Sequence, residues 1–376
     1  MFKMDGLTAS HRTQALDELG EKFVVRAGVA RAAALGMAVR RSGRWEVEVG
    51  AAGKLPSGAA ATESTPFDLA SVSKSFVACC FARLWEKGLV EPVTALGELL
   101  PECRGTRSEG SSLEALLSHR AGLDAHRRLF APLESGRPID RVALLREAAN
   151  ATRIPPEAGR ELPLYSDLGY LLAGEALCRA AECALDELVH TEIAVPLGLS
   201  VGSARQWLRS EPDFRARVAP TEHVWFRGGE LAGEVHDENA WAFAGHGAAG
   251  QAGLFGTVHD VLGLGMALVD ALRGERDSFL KRSSVEFLLQ QRPGGTLRLG
   301  FDGKSDEGSS AGPSAGKLTF GHLGFTGTSY WCDPTAESVT VLLTNRVCPT
   351  REHLHIRACR PVVHEALFTR ARTRRA

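Results

Sequence analysis

The sequence predicts an α+β fold: an antiparallel sheet flanked by helices, with a helical subdomain inserted into it. Three observations carry this reading. Strand-like alternation is confined to the two ends of the chain. Residues from about 90 to 215 are helical and loop-rich, with proline breaks at Pro92, Pro101, Pro155-Pro156 and Pro196. An almost wholly apolar helix opens where the first regime gives way to the second. The α/β part is therefore assigned to about 11–70 and 257–376, the helical and irregular insertion to about 71–256, and the whole of 1–376 to one domain.

Each element has a local reason. Residues 11–33 read as a helix. Ala34–Arg40 and Trp45–Gly50 alternate around Arg41-Ser-Gly-Arg44, the pattern of a β-hairpin. The octapeptide Asp68-Leu-Ala-Ser-Val-Ser-Lys-Ser75 opens the apolar helix, which continues through Phe76-Val-Ala-Cys-Cys-Phe-Ala-Arg-Leu-Trp85 and stops at Gly88, a C-cap glycine. Residues 219–255 are rich in Gly, Ala and His and read as an irregular excursion before a helix at about 257–273. Strand-like runs return at Thr296–Phe301, Lys317–Leu323, Ser329–Asp333 and Val339–Asn345. Between the first two, Gly303–Gly316 reads as a polar, flexible loop. A last helix covers about 352–370, and the Arg-rich end Arg370–Ala376 reads as a solvated, frayed terminus. No internal repeat is evident.

Composition removes several function classes. With 44% hydrophobic and 24% charged residues the chain is ordinary for a globular protein, and a net charge of -1 gives no reason to expect nucleic acid or an anionic membrane as partner. The first residues, Met1-Phe-Lys-Met-Asp-Gly-Leu, lack the apolar core of a secretion signal, and no apolar run approaches a membrane span. Eight cysteines without a CxxC pair read as reduced core residues. A cytoplasmic location is expected on these grounds.

The chemistry begins at the apolar helix. Ser71 lies at its first turn and Lys74 three residues on, so both side chains emerge on one face. A serine is a weak nucleophile until a base removes its proton. A lysine is that base only when burial favours the neutral amine. The chain has only eight lysines, and one inside an apolar helix stands out. The plainer readings are that Ser71 is an N-cap and Lys74 a snorkelling surface residue. The S-x-x-K spacing recurs at Ser278/Lys281, in a charged stretch, and at Ser314/Lys317, in the Gly/Ser loop; only the first copy opens an apolar helix.

Two further segments accompany it. Pro155-Pro-Glu-Ala-Gly-Arg-Glu-Leu-Pro-Leu-Tyr165-Ser-Asp-Leu-Gly-Tyr170 sets a tyrosine after a Gly/Pro-rich loop and before another apolar helix. Phe320-Gly-His322-Leu-Gly324-Phe-Thr-Gly-Thr-Ser-Tyr-Trp331 sets His-x-Gly on an expected strand. Together with Leu117–Leu123, Gly233–Ala240, Gly250–Phe255 and Leu343–Arg346, these segments resemble the serine β-lactamase and penicillin-binding protein superfamily from about residue 30 to 365. The resemblance is to the class C-like branch that includes carboxylesterases and D-aminopeptidases. It implies a β-lactamase/transpeptidase-like fold. It also implies that Ser71 attacks an acyl carbon, Lys74 holds or accepts its proton, and Tyr165 relays that proton to the leaving group with its pKa lowered by Lys74. The backbone N–H groups of Ser71 and Phe325 would form the oxyanion hole, and Asp167, His322 and Gly324 would line the substrate cleft.

Two departures shape the expected substrate. Asp167 stands where β-lactamases of this branch have Asn, and His322 where they have Lys. A mostly neutral histidine with an added acid attracts an anionic antibiotic weakly. An ester, amide or small peptide is expected instead, with carboxylesterase-like hydrolysis first, a D-amino-acid peptidase, amidase or weak β-lactamase as alternatives, and a silent relative that binds a peptide or acyl ligand as the non-enzyme rival. Tyr165 also fits a half-buried loop tyrosine, His322 a structural histidine, and Asp167 a helix cap. No metal or organic cofactor is assigned, because His236, His246, His353 and His355 lack the spacing of a zinc hydrolase. Gly308-Ser-Ser310-Ala-Gly312 lacks the strand and helix of a nucleophile elbow, and Gly303-Lys-Ser305 lacks the upstream glycine of a phosphate loop.

Overall fold

The computed structural model describes residues 10–151, 162–275 and 278–375. Seven strands, β1 (His11–Arg12), β2 (Ala32–Arg41), β3 (Arg44–Gly53), β4 (Asp302–Gly303), β5 (Phe320–Leu323), β6 (Ser329–Asp333) and β7 (Ser338–Thr344), lie in the order β1-β3-β2-β7-β6-β5-β4. Every pairing is antiparallel except the short β1–β3 contact. The N-terminal hairpin is thus joined edge to edge with the C-terminal strands through β2 and β7. The hairpin turns on Ser42 and Gly43, both at positive φ (49° and 81°), the pairing whose twist matches that of the flanking strands.

Five helices matter for the site: α1 (Gln14–Gly20), α2 (Ser73–Glu86), α3 (Asp167–Ala181), α4 (Val258–Arg273) and α5 (Ile356–Arg375). The continuous apolar run of β2 still obeys period-two alternation. Ala33, Leu35, Met37 and Val39 face α1 and α5 in one core, while Ala32, Ala34 and Ala38 join the larger core on the other face with Val261, Leu264 and Leu268 of α4. The sheet is covered on both faces. α2 packs against α3 beneath the site, and Val72 through Ala82 are buried without interruption, so its all-round apolarity has a direct cause. All eight cysteines are free thiols. No helix among the described residues is long and apolar enough to cross a membrane.

Several expectations change. The segment 11–33 is not one helix: it starts as β1 and its helical part ends at Val25, before β2. Thr296–Phe301 is not a strand. Gly300 adopts φ +77° and sits so close to α2 that a Cβ there would lie 2.3 Å from that of Ala78 and 2.9 Å from the Lys74 carbonyl, so the chain turns to meet the helix. The Gly/Ser loop is pinned. Lys304 Nζ donates to the Pro313 carbonyl at 2.9 Å, the Ser314 amide to Glu365 at 2.8 Å, and the Gly316 amide to Asp333 at 2.9 Å. Ala311 and Ala315 are buried with Trp331 and Phe368. The Arg-rich end is helical through Arg375 rather than frayed, with Arg370 and Arg374 both paired to Glu48.

Candidate active site

The nucleophile candidate is presented by a strained turn. Strand Phe67–Asp68 leads into Ala70, a non-glycine residue at φ +46°, and then into the 3-10 turn Ala70–Val72 that precedes α2. Left-handed backbone costs an L-residue about 1–2 kcal/mol and needs surrounding support. The buried Asp68 carboxylate supplies it, accepting the Ala70 amide at 2.8 Å and the His236 amide at 2.8 Å. Ser71 is not an N-cap: α2 is capped by Val72 and has no side-chain cap bond. Its hydroxyl is free to face the cleft.

Lys74 is fully buried, and its three N–H groups are all spoken for. Nζ donates to Ser71 Oγ at 2.8 Å, to Asp167 Oδ1 at 2.7 Å and to the Gln251 carbonyl at 3.1 Å. Asp167 and the Gln251 carbonyl only accept, whereas Ser71 Oγ accepts from an ammonium or donates to a neutral amine. Burial, the largest single influence, disfavours the charge, but the Asp167 carboxylate and Tyr165 together outweigh it and raise the pKa above the ordinary lysine value. Against the expectation of an uncharged amine, the Asp167 counter-ion favours the ammonium at rest. Desolvation was read correctly, but the counter-ion on α3 was not.

Tyr165 lies beside Lys74, whose Nζ is 5.0 Å from the centroid of its ring. Its pKa is raised, not lowered: burial dominates, and the nearby Asp167 adds to it against the pull of Lys74. Its ring stacks on His119, with centroids 4.5 Å apart. His119 is itself buried, takes the Ser166 amide on Nδ1 at 3.0 Å and stays neutral, since burial and the Lys74 charge hold its pKa well below the usual range. Ser166, not Asp167, caps α3: its Oγ accepts the Gly169 amide at 3.2 Å and donates to the Asp124 carbonyl at 2.6 Å. The Asp167 carboxylate is thereby left for Lys74.

The facing wall is the β5–β6 turn. His322 on β5 places Nδ1 2.8 Å from the Leu323 carbonyl, which only accepts, so Nδ1 carries the proton and Nε2 is left as an acceptor. Burial, reinforced by Lys74, pushes its pKa down to about 3. The position where the branch's β-lactamases carry lysine is thus uncharged here. Gly324 is required by closeness: a Cβ would lie 1.9 Å from Thr328 Oγ1 and 2.6 Å from the Leu69 carbonyl. The turn is stitched to the segment that leads into Ser71 by Thr326 Oγ1 donating to the Asp68 carbonyl at 2.7 Å and Thr328 Oγ1 to that of Leu69 at 2.9 Å. Neither the Ser71 amide nor the Phe325 amide has an acceptor among the described residues.

Ser71, Tyr165, Asp167, His322, Gly324 and Phe325 line one cleft of about 860 Å³, with Lys74 beneath its floor. Of the second segment, residues 155–161 lie outside the described residues. Residues that the sequence reading left without a role also gather here. Asp237 lines the cleft, accepts from Gln251 Nε2 at 3.2 Å, and has its pKa raised by burial and by the neighbouring Asp167. His236 stacks on Phe325 (5.7 Å between centroids) and bonds Glu222 at 3.0 Å. His236 and Asp237 lie in the segment Gly233–Ala240 and Gln251 in Gly250–Phe255, both of which carry the family resemblance. Among the described residues no group of three or more His, Cys, Asp or Glu is placed to hold a metal ion.

A family model described as Beta-lactamase matches residues 22–358. Over 307 residues the chain is 27% identical to a protein of Salmonella agona (strain SL483) named, provisionally, as a D-alanyl-D-alanine carboxypeptidase, covering 76% of this chain and 70% of that one. Among solved structures, a penicillin-binding protein homologue from Caulobacter crescentus superposes with a TM-score of 0.69 at 19% identity, over 94% of this chain and 96% of that one. EstCE1, a hydrolase with promiscuous acyltransferase activity, superposes at 0.67 and 22% identity, over 93% and 97%. At these identities the structures speak to the fold alone.

Proposed function

Because this chain belongs to the beta-lactamase family and is a serine hydrolase, we propose that it cleaves an ester or amide through a covalent acyl-enzyme on Ser71, with carboxylesterase-like preference. The observation that carries this reading is the pair of unengaged amides, Ser71 and Phe325, on two turns tied together beside a hydroxyl that touches a buried lysine. Two such donors aimed at a developing oxyanion are worth several kcal/mol, roughly 3–4 for the first lost.

The resting Lys74–Asp167 ion pair is one proton shift away from a neutral amine and a carboxylic acid. In the proposed cycle that proton passes to Asp167 along their 2.7 Å hydrogen bond. Lys74 then accepts the Ser71 proton as Oγ bonds to the acyl carbon, and the carbonyl electron pair moves onto oxygen between the two amides. Collapse of this intermediate expels the leaving group, which takes its proton from Lys74 through Tyr165. Water attacks the resulting ester by the reverse path, releasing the acid and restoring Ser71.

A D-amino-acid peptidase, amidase or weak β-lactamase is the second reading, favoured by the carboxypeptidase-named relative. Neutral His322 speaks against strong attraction of a β-lactam carboxylate. Comparing a short-chain nitrophenyl ester with a D-alanyl amide separates the two: faster ester turnover supports the esterase, and amide preference the peptidase. Ser71→Ala should abolish turnover and labelling by a fluorophosphonate with the fold intact. Binding of substrate by the native chain without any turnover would instead identify a silent relative.

A further inference from the structure

We propose that Arg360, on α5, is a positioning residue that orients and polarises the Gly324–Phe325 peptide, the group whose N–H supplies the second oxyanion donor. The inference rests on the reading of Ser71 and Phe325 given above. Arg360 Nη2 donates to the Gly324 carbonyl at 2.6 Å and to the Thr328 carbonyl at 3.0 Å. The Gly324 C=O and the Phe325 N–H belong to the same peptide unit, so the guanidinium grips one end of the dipole whose other end is unengaged.

Three observations mark this contact as more than a brace. Arg360 is only 8% exposed, and its Nε has no partner among the described residues. Among the described residues no carboxylate pairs with it; burial, followed by a second cation, Arg346, lowers its pKa to about 10. Burying an uncompensated guanidinium is costly, and two carbonyl contacts of this kind could be met by a neutral side chain. The two carbonyls it holds are also the ones that shape the turn. Gly324 O accepts the Gly327 amide at 3.1 Å, and Thr328 O accepts the Gly324 amide at 2.7 Å.

The chemistry follows from peptide resonance. A charged donor on the carbonyl oxygen draws electron density from the nitrogen and makes the N–H a stronger donor, the cooperative effect of linked hydrogen bonds. It also fixes the plane. A flipped peptide would turn the Gly324 carbonyl toward the cleft, where it would repel the oxyanion, and in flipping it would lose its bond to Arg360. On the far side of the same residue, Arg346 Nε holds the Phe325 carbonyl at 2.8 Å and the Arg346 amide holds the Thr326 carbonyl at 2.9 Å, so the turn is clamped on both flanks.

The test uses Arg360→Gln, which keeps a donor and removes the charge, and Arg360→Lys, which keeps the charge. Both are compared with the native chain for 4-nitrophenyl acetate hydrolysis and phenylboronic acid inhibition, per active site titrated with a fluorophosphonate. For Arg360→Gln, kcat is expected to fall roughly 10- to 100-fold, less than the loss of a whole oxyanion donor, with KM little changed. Affinity for the tetrahedral boronate should fall in parallel, and Arg360→Lys should recover part of both. Variants with fewer titratable sites or a lower melting temperature, but native kcat and boronate affinity per site, would overturn the proposal, since that is what a simple brace gives. A native chain that turns over the ester without ever labelling Ser71 would instead remove the serine-hydrolase cycle on which it rests.

Discussion

Asp167 decides the protonation state of the candidate site. Its carboxylate is 93 residues from Lys74 in sequence and 2.7 Å away in space, so nothing in the local pattern around Ser71 could announce the contact. Helix spacing made Ser71 and Lys74 legible, because residues three apart on a helix share a face in any context, and the resemblance to the family pointed to Tyr165. The charge on Lys74 depends on which residue α3 turns toward it, and that was not legible. Asp167→Asn removes the carboxylate and leaves burial as the dominant influence, so the Lys74 pKa should fall by roughly 1–3 units. Asparagine cannot take the Lys74 proton as Asp167 does in the proposed cycle, so the neutral amine must form by losing that proton to solvent, and kcat/KM should gain a limb that rises with pH. A pH profile unchanged from that of the native chain would show that the proton shift between Lys74 and Asp167 is not used. Gly324→Ala tests the wall opposite: a methyl 1.9 Å from Thr328 Oγ1 must push the turn away from Leu69. Turnover should fall by about 100-fold or more while the fluorescence of the folded state is kept.

At the scale of elements, strands that alternate on their own terms were readable and segments shaped by a neighbour were not. Ser329–Asp333 occupies the residues expected of it. Thr296–Phe301 has the composition of a strand, yet Gly300 turns it because α2 lies against it. The Gly/Ser loop reads as flexible from composition, but its amides and carbonyls find Lys304, Asp333 and Glu365. α3 carries the site through its first turn, and its cap is Ser166. Ser166→Ala loses the bond from Gly169 and the bond to Asp124. It should cost about 1–2 kcal/mol of stability in a denaturant titration. It should also lower kcat, since Tyr165 and Asp167 flank the cap; a stability loss with native kcat would show the two to be independent.

Across the whole molecule, buried neutral histidines tie stability to acidity. Burial, followed by a nearby cation, holds His322 and His364 down to about 3 and His119 well below its usual range. In the unfolded chain these imidazoles take up protons near pH 6.5, while the folded protein refuses them until far lower. Between those limits the unfolded state binds more protons, so stability present above pH 6.5 is lost as pH falls, by up to about 1.4 kcal/mol per pH unit for each histidine. His364, which bridges Ser329 and Thr340 at 2.8 and 2.9 Å, isolates the effect away from the cleft. Melting temperature should drop less steeply between pH 7 and 5 in His364→Gln than in the native chain; parallel curves would exclude His364 as a contributor.

All of these scales converge on one covalent event, the transfer of an acyl group to the hydroxyl beside Lys74. Rapid acid quench of the protein with a 4-nitrophenyl ester, followed by peptide mass spectrometry, reads that event without relying on any variant. One acyl group on the peptide carrying Ser71, formed at the rate of the nitrophenol burst, is the result expected. Steady turnover with no adduct, or an adduct on another side chain, would contradict the account.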